Sequence, residues 1–122
     1  SRFAASVESS AHDNFKEVIV NVKEGDTQLT LKELAPVRLV KNKFYNDVQE
    51  LYAKCPTKEE LVALLGRARA KRGMFEGDLV EGELEIGQIA GLINEIQPVK
   101  EIINTMIAEF KQTQIEIGQL QF

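Results

Sequence analysis

The chain lacks most of the features that would assign it to a specialised class of protein. Its single cysteine, Cys55, rules out a disulfide within the chain, so we expect a reducing, cytoplasmic location. Basic residues are not in excess, and the formal net charge of −4 argues against a nucleic-acid-binding domain. No apolar run approaches the roughly 20 residues that span a bilayer, so no membrane segment is expected. These absences leave a single ordinary globular region.

The chain also lacks an initiating methionine and a polar opening. Residues 1–7, SRFAASV, lead directly into an apolar segment, which predicts a short strand that continues a buried one. A natural amino terminus is usually polar and loosely held. We therefore expect the chain to be a piece of a longer protein.

Hydrophobic periodicity predicts a mainly α-helical chain, with four to five helices and short extended segments. The apolar stripe from Ala11 to Val22 predicts the first helix, with Ser10 and Asp13 as a capping pair and Gly25 as the stop. Two segments, DTQLTL and APVRLVKN, alternate or contain proline and are predicted to be extended.

Three further helices are predicted from the same periodicity. Residues 43–55 place Cys55 on an apolar helical face, as a small core residue. Residues 57–73 carry the clearest start signal, because Thr57 and Glu60 form a capping box, and Gly73 is the predicted end. The last helix begins at Pro98.

The only histidine, His12, stands near the predicted start of the first helix. A histidine there can bind a phosphate or a substrate oxygen. Without a second ligand or a base partner nearby, a capping or surface role is the favoured interpretation. No metal site is predicted.

Two charged stretches allow more than one interpretation. Residues 67–72, RARAKR, are either solvated side chains at a helix C-terminus, which is favoured, or a patch for a phosphate or an acidic partner protein. Residues 76–85, EGDLVEGELE, carry five carboxylates. They lack the ligand pattern of a calcium loop, so a solvated acidic turn is favoured over a cation site.

Four of the eight glycines fall within residues 77–92. Glycine costs a helix or strand roughly 0.5–1 kcal/mol relative to alanine, so this density indicates turns or close backbone approach. The GQIAG step, from Gly87 to Gly91, predicts a helix whose glycine side lies against backbone and whose Gln88 is aimed into a site.

Three stretches together resemble one family. SRF followed by ESSAHDNFK, then APVRLVKN, then GDLVEGELEIGQIAGLINEIQPVKEII are similar to the C-terminal part of the FMN-dependent nitronate monooxygenase and type II enoyl-acyl-carrier-protein reductase family. That family shows G-T/S-R-F, E-S-x-A-H-x-x-Y/F-K and G-D-x-x-x-G-x-x-x-x-G-Q-x-A-G-L. The resemblance covers nearly the whole chain, and the order and spacing of the motifs carry it.

The resemblance implies a parent protein with an α/β fold, a TIM (β/α)₈ barrel that holds FMN at the C-terminal face of its strands. Residues 1–122 would be its single C-terminal region. Residues 1–25 would form the end of barrel strand 8 and the following helix, and residues 26–122 a helical cap. The flavin-stacking and catalytic residues would lie outside this chain, which alone is expected to be inactive.

The resemblance also implies roles for particular residues. Ser1 and Arg2 would bind the FMN phosphate. His12, Gln88 and Glu85 would lie at the pocket edge, with the glycine-rich stretch folded back over the flavin pocket.

Two departures from the enoyl reductase pattern bear on the substrate. Glu83 replaces a small residue, and Glu85 replaces an apolar one that would face an acyl chain. Since an unpaired carboxylate beside a lipid tail is costly, a nitronate is the favoured substrate. The alternative is NAD(P)H-dependent reduction of enoyl thioesters, with acyl carrier protein docking on residues 67–72.

A third interpretation is a non-enzymatic helical interaction module. The apolar stripe of residues 99–110 would pair with another helix. Self-association into a homo-oligomer is expected under every interpretation, because a chain without its barrel would expose the surfaces that the barrel covers.

Overall fold

The computed structural model describes residues 1–120 and shows a mainly helical chain with one small two-stranded sheet. In chain order the elements are α1 (Asp13–Asn21), β1 (Thr27–Thr30), β2 (Val37–Val40), α2 (Lys43–Tyr52), α3 (Lys58–Leu65), α4 (Arg69–Met74), a 3-10 helix (Gln88–Leu92) and α5 (Val99–Gly118). The predicted mainly helical character is thus confirmed for this part of the chain, with corrections to single elements given below. No helix in residues 1–120 is both long enough and apolar enough to cross a membrane.

Helix α1 buries the predicted face but begins with a different cap. Phe15 and Ile19 are each 1% exposed. The N-cap is His12, whose Nδ1 accepts a hydrogen bond from the backbone N–H of Asn14 at 3.1 Å. The predicted capping pair is therefore wrong. The helix also ends at Asn21 and not at Gly25, because Val22 is already extended.

The two predicted extended segments pair as an antiparallel hairpin. Thr27 lies opposite Val40, and Thr30 lies opposite Val37. Beyond β2, Asn42 caps α2 by accepting the backbone N–H of Tyr45 at 3.0 Å. The hairpin and α2 are thereby joined through a two-residue connection.

Cys55 is exposed, so its prediction as a core residue is wrong. Helix α2 ends at Tyr52, before the apolar stripe does. Cys55 then adopts φ +52°, which turns the chain away from the helix axis and takes the thiol off the buried face.

The predicted helix over residues 57–73 is two helices. The capping box at its start is confirmed, since Thr57 and Glu60 each receive a hydrogen bond from the other's backbone N–H. Helix α3 stops at Leu65 because Gly66 has φ +64°, and Ala68 has φ +61° before α4 begins. Two left-handed residues this close cannot belong to a continuous α-helix.

Two apolar clusters form the core. The α1 cluster joins α1 to the segment that follows the acidic residues, and its members are Ala5, Ala11, Phe15, Ile19, Val22, Leu84, Ile86, Ala90 and Ile93. The hairpin cluster joins the sheet to α2 and α3, and its members are Leu31, Leu39, Phe44, Tyr45, Val48 and Leu61. Burial of apolar side chains in each cluster is the main stabilising contribution.

An extended segment, residues 83–86, links the two clusters. Its Leu84 and Ile86 side chains enter the α1 cluster. Its backbone contacts the hairpin, because the carbonyl of Leu84 accepts from the N–H of Val40 at 3.1 Å and Glu85 bridges to Leu39. This segment therefore fixes how α1 lies against the sheet.

The backbone at Gly82 passes close to the backbone at Gly73, at the point where the acidic residues 76–85 return to α4. A Cβ added at Gly82 would lie 2.5 Å from the Cα of Gly73 and would also overlap the carbonyl oxygen of Asp78. A Cβ added at Gly73 would lie 2.8 Å from the carbonyl oxygen of Glu83. Only glycine permits the two backbones to approach this closely.

Asn42 fastens the same crossing from the other side. Its Nδ2 donates to the carbonyls of Gly82 at 2.8 Å, of Leu79 at 3.0 Å and of Val80 at 3.3 Å. One side chain therefore caps α2 and holds the turn that precedes residues 83–86.

Helix α5 is anchored only near its start. Glu8 accepts the backbone N–H of Val99 at 2.9 Å, and Ile102 is 1% exposed. Farther along, the apolar stripe is uncovered, with Met106 48% and Phe110 68% exposed.

Replacing Gly82 with alanine tests the glycine crossing. We expect Gly82→Ala to lower the free energy of unfolding by about 3 kcal/mol, because the new methyl group overlaps backbone atoms that cannot move independently. Urea unfolding of both proteins measures the difference. Gly118→Ala is the matched control, since a Cβ there meets nothing within 4 Å. Equal stability of the two variants would contradict the crossing.

Asn42→Asp tests the side-chain NH2 group that donates to the three carbonyls, without removing the helix cap. Aspartate still accepts the N–H of Tyr45, but it turns a carboxylate oxygen toward the carbonyls that Asn42 now serves. We expect a loss of about 2 kcal/mol in the free energy of unfolding. Hydrogen exchange of the backbone amides in residues 78–86 should accelerate in parallel, and an unchanged exchange rate there would argue against the fastening role.

Candidate functional site

The amino-terminal turn, residues 1–7, coils directly after Ser1, so the strand predicted there is wrong. The backbone N–H of Ala5 donates to the carbonyl of Ser1 at 3.0 Å, and that of Ser6 donates to Phe3 at 3.2 Å. These local turns bond the backbone within the segment, and no strand of residues 1–120 pairs with it.

The coiled turn carries the backbone amides of Arg2, Phe3 and Ala4. Backbone N–H groups in a turn are suited to bind an anion such as a phosphate. The guanidinium of Arg2 belongs to the same turn and adds a positive charge.

The glycine-rich stretch meets this turn at Gly87. A Cβ built on Gly87 would lie 3.6 Å from the Oγ of Ser1. The 3-10 helix that follows contributes Ile89 to a groove of about 490 Å³, which Arg2, Phe3 and Met106 also line. Ser1, Arg2 and the GQIAG step, far apart in sequence, therefore lie next to one another.

Gln88 lies on the other side of the 3-10 helix. It lines a second groove, of about 440 Å³, with Glu24 and Ile89, and its side chain is exposed. Gly91 packs against backbone there, because its added Cβ would lie 3.6 Å from the amide nitrogen of Glu24. The predicted glycine contact of this step is present, and Gln88 does not line the groove beside the amino-terminal turn.

His12 occupies a structural position. Besides capping α1, its ring packs on Gly77, where an added Cβ would lie 2.7 Å from ring carbons. Asn14 donates to the carbonyl of Gly77 at 3.1 Å and closes the contact. His12 lines neither of the two grooves beside the amino-terminal turn.

Glu83 and Glu85 lie on the opposite face of residues 83–86 from Leu84 and Ile86. Both line a third groove, of about 290 Å³, against the hairpin loop and Leu65. Since side chains alternate along an extended segment, this is also the face of Gly87, which approaches Ser1. Glu83, Glu85 and Gly87 therefore share one face of the chain.

The two carboxylates, Glu83 and Glu85, differ in burial. Glu85 is exposed, whereas Glu83 is only 8% exposed. Burial, reinforced by the negative charge of Glu85 and opposed by Arg69, raises the pKa of Glu83 to about 7. Glu83 therefore exchanges its proton near neutral pH.

Two of the four basic side chains in residues 67–72 make internal contacts, so the expectation that water surrounds them holds for only part of the stretch. Arg69 donates to the carbonyl of Leu65 at 2.8 Å and lies 4.5 Å above the ring of Phe44. Arg72 pairs with Asp78 at 2.6 Å. Only Arg67 and Lys71 remain exposed.

The acidic residues 76–85 form an ion-paired turn more than a solvated one. Hydrogen bonds from the backbone N–H of Glu81 and from Arg72 hold the pKa of Asp78 below its usual value. Glu81 pairs with Lys43 at 2.8 Å, which lowers its pKa in turn. Among residues 1–120, no group of histidine, cysteine and acidic side chains has the arrangement of a metal site.

Sequence reasoning missed the apolar walls of the grooves. Phe3, Ile89 and Leu92 are 48%, 60% and 69% exposed and border the amino-terminal turn. The sequence carried a signal for two of them. Ile89 and Leu92 are out of register with the buried Ala90, so their side chains face outward.

Glu83→Gln tests the buried carboxyl through the pH dependence of stability. The folded chain binds this proton more tightly than the unfolded chain, so wild-type stability should fall as pH rises from about 5 to about 7. Over the same pH range the free energy of unfolding of the variant should decrease by up to about 3 kcal/mol less than that of the wild type. Urea unfolding at several pH values measures it, with the exposed Glu76→Gln as control. Parallel profiles for Glu83→Gln and wild type would contradict the burial of a titrating group.

Comparison with known proteins places these features in a family. The family model described as nitronate monooxygenase matches residues 1–109. The solved structure of FabK from Thermotoga maritima superposes with a TM-score of 0.81 at 40% sequence identity, covering 95% of this chain and 37% of that one. A mutant of the same protein gives a TM-score of 0.76 at 38% identity, covering 95% and 34%. No curated protein matches the sequence.

The present chain therefore spans little more than a third of the length of the solved structures it matches. The family match extends from the amino-terminal turn through the 3-10 helix and into α5, and so includes every site residue described above. The chain belongs to the nitronate monooxygenase family.

Proposed function

We propose that the full-length protein is an FMN-dependent oxidoreductase and that this chain forms its C-terminal region, packed on a (β/α)₈ barrel. The observation that carries the proposal is the family match over residues 1–109, which includes the amino-terminal turn with Arg2 and the Gly87 that faces Ser1. Members of the family are flavin-dependent, and such a turn is suited to a flavin phosphate.

The residues present fit the phosphate end of FMN. Ser1 would donate its hydroxyl, and the amides of Arg2 and Phe3 would donate from the turn. Gly87 leaves room, because a larger residue there would point its side chain at Ser1. The flavin supplies electron transfer when bound, while this chain positions the phosphate and closes one edge of the pocket with Gln88 and Glu85.

Nitronate oxidation is the reaction we favour. Glu85 lies on the same face of the chain as Gly87 and is exposed. A long acyl chain laid along this face would desolvate that carboxylate without pairing it. A small nitronate leaves Glu85 hydrated.

Enoyl thioester reduction is the second candidate, favoured by the likeness to FabK, a type II enoyl-acyl-carrier-protein reductase of the same family. It would require NAD(P)H and an acyl carrier protein. Exposed Arg67 and Lys71 would dock the acidic carrier, whereas Arg69 and Arg72 are occupied internally. Arg67→Gln should then raise KM for carrier-linked substrate and leave KM for a short thioester unchanged.

Anaerobic flavin absorbance of the full-length protein distinguishes the reactions. We expect propionate nitronate to bleach the flavin and NADH or NADPH to leave it oxidised. Rapid bleaching by NAD(P)H would favour the enoyl reductase. A full-length protein that binds no flavin would overturn both reactions and favour a helical interaction module.

Ser1→Ala in the full-length protein tests the phosphate turn. Loss of one hydrogen bond to a charged phosphate should weaken FMN binding by about tenfold. Riboflavin, which lacks the phosphate, should bind both proteins equally, as measured by flavin fluorescence titration. An equal loss for FMN and riboflavin would show that Ser1 acts elsewhere than at the phosphate.

We also propose that the exposed stripe of α5, with Met106 and Phe110, is covered in the full-length protein by the barrel or by a second copy. Isolated apolar faces of this length are uncommon on monomeric proteins. Sedimentation of the full-length protein and of its Phe110→Glu variant distinguishes the two covers. The substitution should dissociate the protein only if the stripe is covered by a second copy.

A further inference from the structure

The third groove, here called the carboxylate groove, is a small apolar cleft with a carboxyl group in its wall. Its apolar side comes from Leu31, Leu34, Val37 and Leu65, and its polar side from Glu83 and Glu85. It has a volume of about 290 Å³, at the lower limit of the range for small-molecule sites.

Glu83 in this groove has no partner within the described residues. Its side chain belongs to a residue more than nine-tenths buried, yet it makes no hydrogen bond or ion pair with residues 1–120. Every fully enclosed polar side-chain atom in that part of the chain has a hydrogen-bond partner. Since the carboxyl oxygens of Glu83 have none, they are not fully enclosed and must open into the groove that Glu83 lines.

The nearby cations are already committed. Arg69 donates Nε to the carbonyls of Leu64 and Leu65 and Nη1 to the carbonyl of Glu81 at 2.8 Å. Lys43 bonds to Asp47 and Glu81, each at 2.8 Å. Besides Arg69, the other charge that shifts the pKa of Glu83 is the carboxylate of Glu85, which has the same sign.

We propose that the carboxylate groove binds a small alkylammonium ligand, with its ammonium group on Glu83 and its apolar body against Leu34, Val37 and Leu65. An ammonium group supplies the donors and the positive charge that Glu83 lacks, and Glu85 at the mouth adds to the attraction. An alkanoate would meet two like charges. An alcohol would supply a hydrogen bond without the charge.

This inference is independent of the proposed oxidoreductase activity. The groove lies among the hairpin loop, α3 and residues 83–86, and of the residues proposed for the flavin pocket it contains only Glu85, not Ser1, Arg2 or Gln88. Amine binding can therefore be measured by calorimetry whether or not the flavin is reduced by any substrate.

Isothermal titration of the full-length protein with n-pentylamine tests the proposal, with n-pentanol and pentanoate as matched probes. We expect pentylamine to bind at least tenfold more tightly than pentanol, and pentanoate not to bind. Glu83→Gln should weaken pentylamine binding at least tenfold. The control Glu76→Gln removes an exposed carboxylate that pairs with Lys71 and should leave binding unchanged.

A second variant tests the apolar side without altering any charge. Ala35 lines the groove and is exposed, so Ala35→Trp should fill the cleft and abolish pentylamine binding while the protein remains folded by circular dichroism. Equal binding of pentylamine and pentanol, unchanged binding in Glu83→Gln, or absence of binding in the wild-type protein would each overturn the proposal.

Discussion

The crossing of Gly73 and Gly82 is the constraint on which the rest of the structure depends. It brings the acidic residues back against α4, and the chain leaves it as the extended segment, residues 83–86. That segment sends Leu84 and Ile86 into the α1 cluster and its backbone to β2. Without this approach, the two apolar clusters would lose the element that connects them.

The same crossing determines the placement of the candidate site. Because residues 83–86 are extended and fixed at both ends, the chain reaches Gly87 in a defined position opposite Ser1. The acidic residues beside the crossing are mostly neutralised, with Asp78 on Arg72 and Glu81 on Lys43. Glu83 is the exception, and burial rather than pairing determines its protonation.

Local signals in the sequence predicted the elements whose causes are local. The Thr57 capping box and the hairpin segments depend on residues a few positions apart, and both are present. The break at Gly66 was not predictable from periodicity, since the apolar pattern continues through it. It lies at Gly66, whose φ is +64°, and Arg69 then donates to the carbonyls of Leu65 and Glu81. The glycine density predicted close approach, but the partners, such as His12 for Gly77, are distant in sequence. The family resemblance assigned both Ser1 and the GQIAG step to a flavin pocket, and their roles there remain predictions.

The most direct measurement of the central claim is a crystal structure of the full-length protein with FMN bound. The account predicts phosphate oxygens within about 3.2 Å of the amide nitrogens of Arg2 and Phe3, with the Oγ of Ser1 in contact and Gly87 facing the turn. A flavin phosphate bound elsewhere, with the amino-terminal turn occupied by other protein groups, would contradict it.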